Sequence, residues 1–229
     1  MPAYYLLIAP VLLFSIVAHE YAHGYAALKQ GDATAYQLGR LTWNPLKHLD
    51  PVMSVIFPLV MALAHLPILA GAKPVPVNPR NYRNYRRGDI IVSLAGVGAN
   101  TVIAVGCALA IALVGVVGRG APALAETLAI LQAMCVIGVE LNLLLAGFNL
   151  LPIPPLDGSH VLKYLLPPAW AAQYQRIGFL GIFVLLLLLQ TRFLAWWLFP
   201  AMRAAGFLEA IVRPLILPAT PRWIPWQAL

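Results

Sequence analysis

From Ile90 to Gly118 the chain carries no charged residue. A helix needs only ~20 apolar residues to cross the hydrocarbon core of a bilayer, and no soluble domain has a surface that would take up so long an uncharged run. Other runs resemble it. Ala3–Leu28 is polar only near its end, Thr127–Leu151 holds one acid, Glu140, and another run starts near Ile177 and reaches Gln190 or, past Arg192, Phe199. Val52–Ala72 is interrupted by Pro58, His65 and Pro67, while Phe207–Leu217, broken by Glu209, Arg213 and Pro214, suits the membrane interface. Of the 229 residues, 61% are hydrophobic and only 10% charged, against roughly 25% charged in soluble domains. The expected fold class is an all-α polytopic membrane protein, with residues 1–229 forming a single membrane-embedded domain without internal repeats.

The formal net charge of +7 does not call for nucleic acid as a partner, because Lys and Arg concentrate in short cytoplasmic loops and set orientation. Lys73, Arg80, Arg83, Arg86 and Arg87 face a single acid, Asp89, in their segment, which makes that segment cytoplasmic. Lys29, Arg40 and Lys47 put the 29–50 loop on the same side, and the sparsely charged loop with Arg119 and Glu126 fits the outside. With both basic loops inside, the 52–72 run is not a simple crossing; it is re-entrant, a hairpin or a surface-lying helix. Cys107 and Cys135 both fall in apolar runs, so neither a disulfide framework nor a thiolate zinc site is expected. The amino terminus lacks a basic n-region and a small-residue cleavage site, so no cleaved signal peptide is expected.

The first run ends on His19-Glu20-Tyr21-Ala22-His23. Positions i and i+4 share a helix face, so the two imidazoles can converge on one ion. Glu20 lies beside them, where a carboxylate can take a proton from a water activated at that ion. The fourth run ends on Asn149-Leu150-Leu151-Pro152-Ile153-Pro154-Pro155-Leu156-Asp157-Gly158. Prolines lack the N–H a helix needs, and unwound backbone at membrane depth must be buried in protein or line a watery cavity. Asp157 is then either a solvated loop acid or the third ligand that a zinc hydrolase usually requires. Alternating crossings bring it to the same side as His23, which favours the ligand.

These residues resemble the site-2 proteases, zinc metalloproteases that cut substrate helices within the membrane, in their compact prokaryotic branch without a PDZ domain. The resemblance rests on His19-Glu20-x-x-His23-Gly24 and on Asn149-x-x-Pro152-x-Pro154-Pro155-Leu156-Asp157-Gly158. Gly39–Pro45, Lys73–Pro79 and Ser93–Asn100 add weaker pieces, with Val97 where the family usually has proline and Gly71 where an aromatic often stands. It implies a core of three transmembrane helices at about residues 3–165, additional helices and a tail over 166–229, and a short membrane-associated extended or β loop. It also implies one zinc ion per chain on His19, His23 and Asp157, with Glu20 as general base and acid. Asn149 would hold the substrate backbone or the oxyanion, and Lys73, Pro74, Val75, Pro76 and Val77 would form a substrate-facing loop. The implied partners are a transmembrane protein substrate and the lipid bilayer of a prokaryotic cytoplasmic membrane, with the site near its cytoplasmic side.

A polytopic metal transporter and an inactive scaffold of the same fold are the rival functions; transporters place their sites between repeats. Several polar residues keep plainer readings. Glu140 lines a water path or is a protonated structural acid, His160 caps a helix or sits at the interface, and His48 is a loop residue at the headgroups. His65 is structural, Asn100 bonds across helices, and Trp196, Trp197, Trp223 and Trp226 are interfacial aromatics.

Overall fold

The computed structural model of the protein describes residues 2–63 and 71–220. Nine α-helices occur among these residues: α1 Pro2–Gln30, α2 Thr34–Gln37, α3 Phe57–Leu63, α4 Tyr85–Gly120, α5 Ala125–Asn149, α6 Asp157–Leu162, α7 Pro168–Arg176, α8 Gly181–Leu189 and α9 Arg192–Val212. Three helical stretches, Leu6–Gln30 in α1, all of α4, and Pro122–Asn149 ending with α5, are long and apolar enough to cross a bilayer. The protein is an all-α membrane protein.

Helix ends follow from local chemistry. α1 stops where Gly31 adopts φ 112°, a conformation that costs glycine little. The Gly31 N–H then donates to Leu28 O and the Asp32 N–H to Ala27 O, which satisfies the last carbonyls of the helix. α4 begins earlier than the uncharged run because nothing breaks the helix between Tyr85 and Ile90. Its 36 residues extend about 54 Å, well beyond a ~30 Å hydrocarbon core, so Arg86, Arg87 and Asp89 occupy its first turns. α5 ends at Asn149, ahead of the proline break, and the Tyr174 hydroxyl donates to the freed Pro152 carbonyl at 2.8 Å.

Among the described residues of the 52–72 run, a π-helical turn, Pro51–Ile56, leads into α3; together they extend about 20 Å. Residues 64–70, with His65 and Pro67, lie outside the described residues, as do Trp223 and Trp226. Residues 71–78 have no regular structure, and no strand occurs among the described residues. Pro74 and Pro76 remove two of the N–H donors a ladder would need.

The chain forms two compact units. One comprises the described parts of Met1–Ser15, Asn100–Ala146 and Phe199–Leu229. Ala104, Ala108 and Ile111 of α4 pack there with Ala133, Val136, Ile137, Val139 and Leu143 of α5 and Ala205 and Val212 of α9. Small side chains of this kind let helices approach closely where lipid cannot drive them together. Asn100 donates to Asn142 Oδ1 at 2.8 Å, and Asn142 donates to Ser15 Oγ at 2.9 Å and Gly138 O at 2.8 Å, the cross-helix bonding expected of Asn100. Gln132 holds the segment after α9, donating to Ile111 O and Leu215 O and accepting from Leu217 N and Thr220 Oγ1. Within the stretch Phe207–Leu217, α9 runs on to Val212 and buries Glu209 and Val212 while Phe207 and Ile211 stay exposed.

The other unit, Ile16–Ala99 and Gly147–Leu198, contains every residue of the candidate site. In it α7 and α8 meet at 76°. Trp197 donates from Nε1 to Gly147 O at 2.9 Å, in the last turn of α5.

Candidate metal centre

α1 presents His19 and His23 one turn apart, with their Nε2 atoms separated by 2.9 Å. Asp157 Oδ2 lies 3.3 Å from His19 Nε2 and 3.4 Å from His23 Nε2. The three side chains form the one such group among the described residues. Asp157 reaches them because the proline break ends α5 and the chain restarts as α6 with Asp157 as its first residue. At Gly158 a Cβ would collide with the Leu150 and Leu151 carbonyl oxygens, so α6 starts packed directly on the backbone of the break.

The donor set fits zinc. Ligand distances of about 2.0–2.2 Å around a tetrahedral ion require donor–donor edges of about 3.3–3.6 Å; the two edges from Asp157, 3.3 and 3.4 Å, fall in that range, and the edge between the two histidines, 2.9 Å, is shorter. Asp157 Oδ2 is buried without a hydrogen-bond partner. His23 Nδ1 lies 2.7 Å from Val92 O; a carbonyl can only accept, so Nδ1 carries a proton and Nε2 is the ring atom turned toward the centre, the one whose lone pair would serve a metal. Burial pushes the Asp157 carboxyl up, but the His19 and His23 imidazoles beside it outweigh burial and hold it below the usual carboxylate range. It is an anion, the form that ligates a metal. Gly96 of α4 completes the cradle: a Cβ there would come within 2.5 Å of the Nε2 atoms of both histidines.

Glu20 is half-buried next to His19, and its Oε2 accepts the Val75 N–H at 2.8 Å. Val75 is buried, and a Cβ at Gly24 would lie 3.0 Å from its Cγ1; Gly24 thus makes room for the segment that reaches Glu20. Lys73 and Pro74 are exposed, while Pro76 and Val77 are half-buried. The Lys73 N–H donates to His48 O at 2.8 Å, and Arg40 donates to Lys73 O at 3.1 Å. His48 is buried and donates from Nε2 to Thr42 O at 2.8 Å, so it is a structural link and not a headgroup residue. Asn149 closes α5, half-buried, at the start of the break. His160 faces Asp89, with Nδ1 3.4 Å from its Oδ1. Glu140 belongs to the first unit.

Two site residues escape sequence reading. Asp32 is fully buried and anchors the 71–81 segment, accepting from Asn78 N, Asn81 Nδ2, and both Thr34 N and Thr34 Oγ1. Burial pushes its carboxyl up, but these bonds outweigh that and hold it low. The Gly31-Asp32 pair past a helix end was the available signal. Gly96 stands in the quoted Ser93–Asn100 block, but its role appears only when α4 is packed beside α1.

A His-Glu-x-x-His helix closed by a separate aspartate, in a chain with span-length helices, is the donor arrangement of a zinc hydrolase in a membrane protein. The chain is 37% identical to YwhC of Bacillus subtilis (strain 168), provisionally named a zinc metalloprotease, over 90% of this chain and 92% of that one. Rip2 of Mycolicibacterium smegmatis and Rip2 of Mycobacterium tuberculosis (strain H37Rv) carry the same provisional description. They are 34% and 30% identical, covering 80% and 82% of this chain and 67% and 70% of theirs. The chain belongs to the site-2-protease family of zinc metalloproteases. No family model matches it, and no solved structure matches it either.

Proposed function

We propose that the protein is an intramembrane zinc metalloendopeptidase that hydrolyses peptide bonds within or near the transmembrane helices of substrate membrane proteins. The observation that carries this reading is the convergence of His19 Nε2, His23 Nε2 and Asp157 Oδ2 beside Glu20, on a helix of span length. Zinc bound by these three side chains supplies Lewis acidity and lowers the pKa of water from 15.7 to ~7. Glu20 is held at Oε2 by the Val75 N–H, which leaves Oε1 to take the proton of the attacking water and pass it to the leaving amine. The Asn149 amide, at the mouth of the break, steadies the substrate backbone or the developing oxyanion, a contribution of about 3–4 kcal/mol for such a donor elsewhere.

A substrate helix must unwind to expose its peptide bond. The Lys73–Val77 segment offers it an edge for β-augmentation. Because Pro74 and Pro76 have no N–H, their positions contribute acceptors only, for the N–H groups of the unwound substrate. His23 lies about 10 Å from the end of α1, toward the basic 29–50 loop. This depth supports a shallow site on the cytoplasmic side of a prokaryotic cytoplasmic membrane, within reach of water.

Glu20→Gln tests the mechanism in full-length protein with a membrane-embedded reporter. The variant is expected to keep its zinc while cleavage falls by about 10²–10⁴. A transporter or an inactive scaffold would keep its own activity in that variant. Undiminished cleavage by Glu20→Gln refutes Glu20 as the base.

A further inference from the structure

Asp89, in the second turn of α4, is 3% exposed, and the proposed chemistry does not use it. Lys163 Nζ lies 2.5 Å from its Oδ2, the Tyr164 hydroxyl donates to that same oxygen at 2.9 Å, and His160 Nδ1 is 3.4 Å from Oδ1. Arg86 reinforces the grip, donating to Tyr164 O at 3.3 Å with its guanidinium 5.4 Å from the Tyr164 ring. The first turns of α4 thus hold residues 160–164, at and just beyond the far end of α6.

The near end of α6 is Asp157. α6 has six residues, a lever of about 9 Å. Upstream of it stand Pro152, Pro154 and Pro155, which lack N–H groups, so no helical ladder from α5 fixes its axis. On the same helix, three and seven residues past Asp89, Val92 O orients His23 and Gly96 clears space for both imidazoles. We propose that Asp89 is a positioning residue for the metal centre: by clamping Lys163 and Tyr164 to α4 it sets the direction of α6, and so brings Asp157 into register with the histidines. This inference rests on the zinc-site reading above.

Cobalt(II) titration of the full-length protein in detergent separates the two, since cobalt reports both affinity and ligand geometry through its visible bands. Wild type is expected to bind one cobalt. Asp89→Asn is expected to bind it about 10–100-fold more weakly, as loss of outer support does at other metal sites, and with altered bands. Asp89→Glu is expected to recover most of the affinity, and Tyr164→Phe to show a smaller loss in the same direction. A lowered melting midpoint in Asp89→Asn with unchanged cobalt affinity and spectrum overturns the proposal. Should that variant not fold, unchanged affinity and spectrum in both Tyr164→Phe and Lys163→Met overturn it equally. Wild type that takes up no cobalt refutes the metal-centre reading itself, and with it the proposal.

Discussion

Replacing Gly96 by alanine adds one methyl at the point where α4 meets the two histidines. That carbon would lie 2.5 Å from each Nε2, inside the 3.0 Å limit that real Cβ contacts respect. At least half an ångström of movement is therefore needed, by the helices or by the imidazoles. Forcing a methyl into packed structure costs about 1–3 kcal/mol. If that strain falls on the ligand positions, zinc affinity drops roughly 5- to 150-fold, before counting the space the methyl takes from the ion. Gly98 supplies the control two residues along the same helix, where a Cβ meets nothing within 4 Å. Gly98→Ala is expected to leave zinc binding intact and to gain up to about 1 kcal/mol from helix propensity. The assay is a zinc titration against a competing chelator in detergent, paired with cleavage of the membrane-embedded reporter. Wild-type zinc affinity and cleavage in Gly96→Ala would mean that these imidazoles do not form the site.

Two further substitutions test the scaffold. Asp32→Asn is expected to loosen the 71–81 segment at neutral pH, by about 1–3 kcal/mol for a buried carboxylate stripped of charge-assisted bonds. The Asp32 carboxyl is held low in the fold, so its stabilisation is complete above its unfolded value of ~3.9 and fades as pH falls through the lower folded value. Limited proteolysis within 71–81 should accordingly separate variant from wild type at pH 7 and converge in acid; a difference that persists in acid contradicts the assignment. Asn142→Leu removes bonds to Ser15, Gly138 and Asn100. It is expected to cost about 0.6–1.7 kcal/mol per cross-helix bond, read as a lower melting midpoint in detergent; an unchanged midpoint argues that these bonds add nothing to stability.

What was legible in the sequence was local. The i, i+4 spacing of His19 and His23 is a property of one helix, and the long uncharged runs declare their helices by length alone. Asp157 was legible because the prolines before it forbid a helix, so an acid at that point had to serve either the solvent or a site. The remaining features depend on contacts between segments far apart in the chain. His48 is buried because its carbonyl receives the Lys73 N–H and its ring reaches Thr42, neither of which its neighbours announce. Within Phe207–Leu217, α9 runs on to Val212 and buries Glu209, a burial that the charge pattern of the run does not announce. The loop expected to be extended or β forms no strand among the described residues, and its Val75, Lys73 and Asn78 N–H groups are given to Glu20, His48 and Asp32.

The order in which these contacts fall along α4 explains why a chain with so few polar residues can hold a polar site. Asp89, Val92, Gly96 and Asn100 advance by three, four and four residues, the spacing that keeps side chains on one helical face. Along that face Asp89 grips the residues after α6, the Val92 carbonyl fixes the tautomer of His23, and Gly96 admits both imidazoles. Asn100 then continues the stripe with its bond to Asn142. Asp89, the Val92 carbonyl and Asn100 each pair with a polar group that would otherwise be unpaired in an apolar surrounding, where such a group costs several kcal/mol, while Gly96 supplies the space. A uniformly apolar α4 of the same length would still span a membrane and keep the Val92 carbonyl, but it would leave α6 without the Asp89 clamp and Asn142 without the Asn100 amide. The stripe, set in a helix whose composition declares only a membrane span, is therefore the feature that ties the His-Glu-x-x-His helix to its distant aspartate.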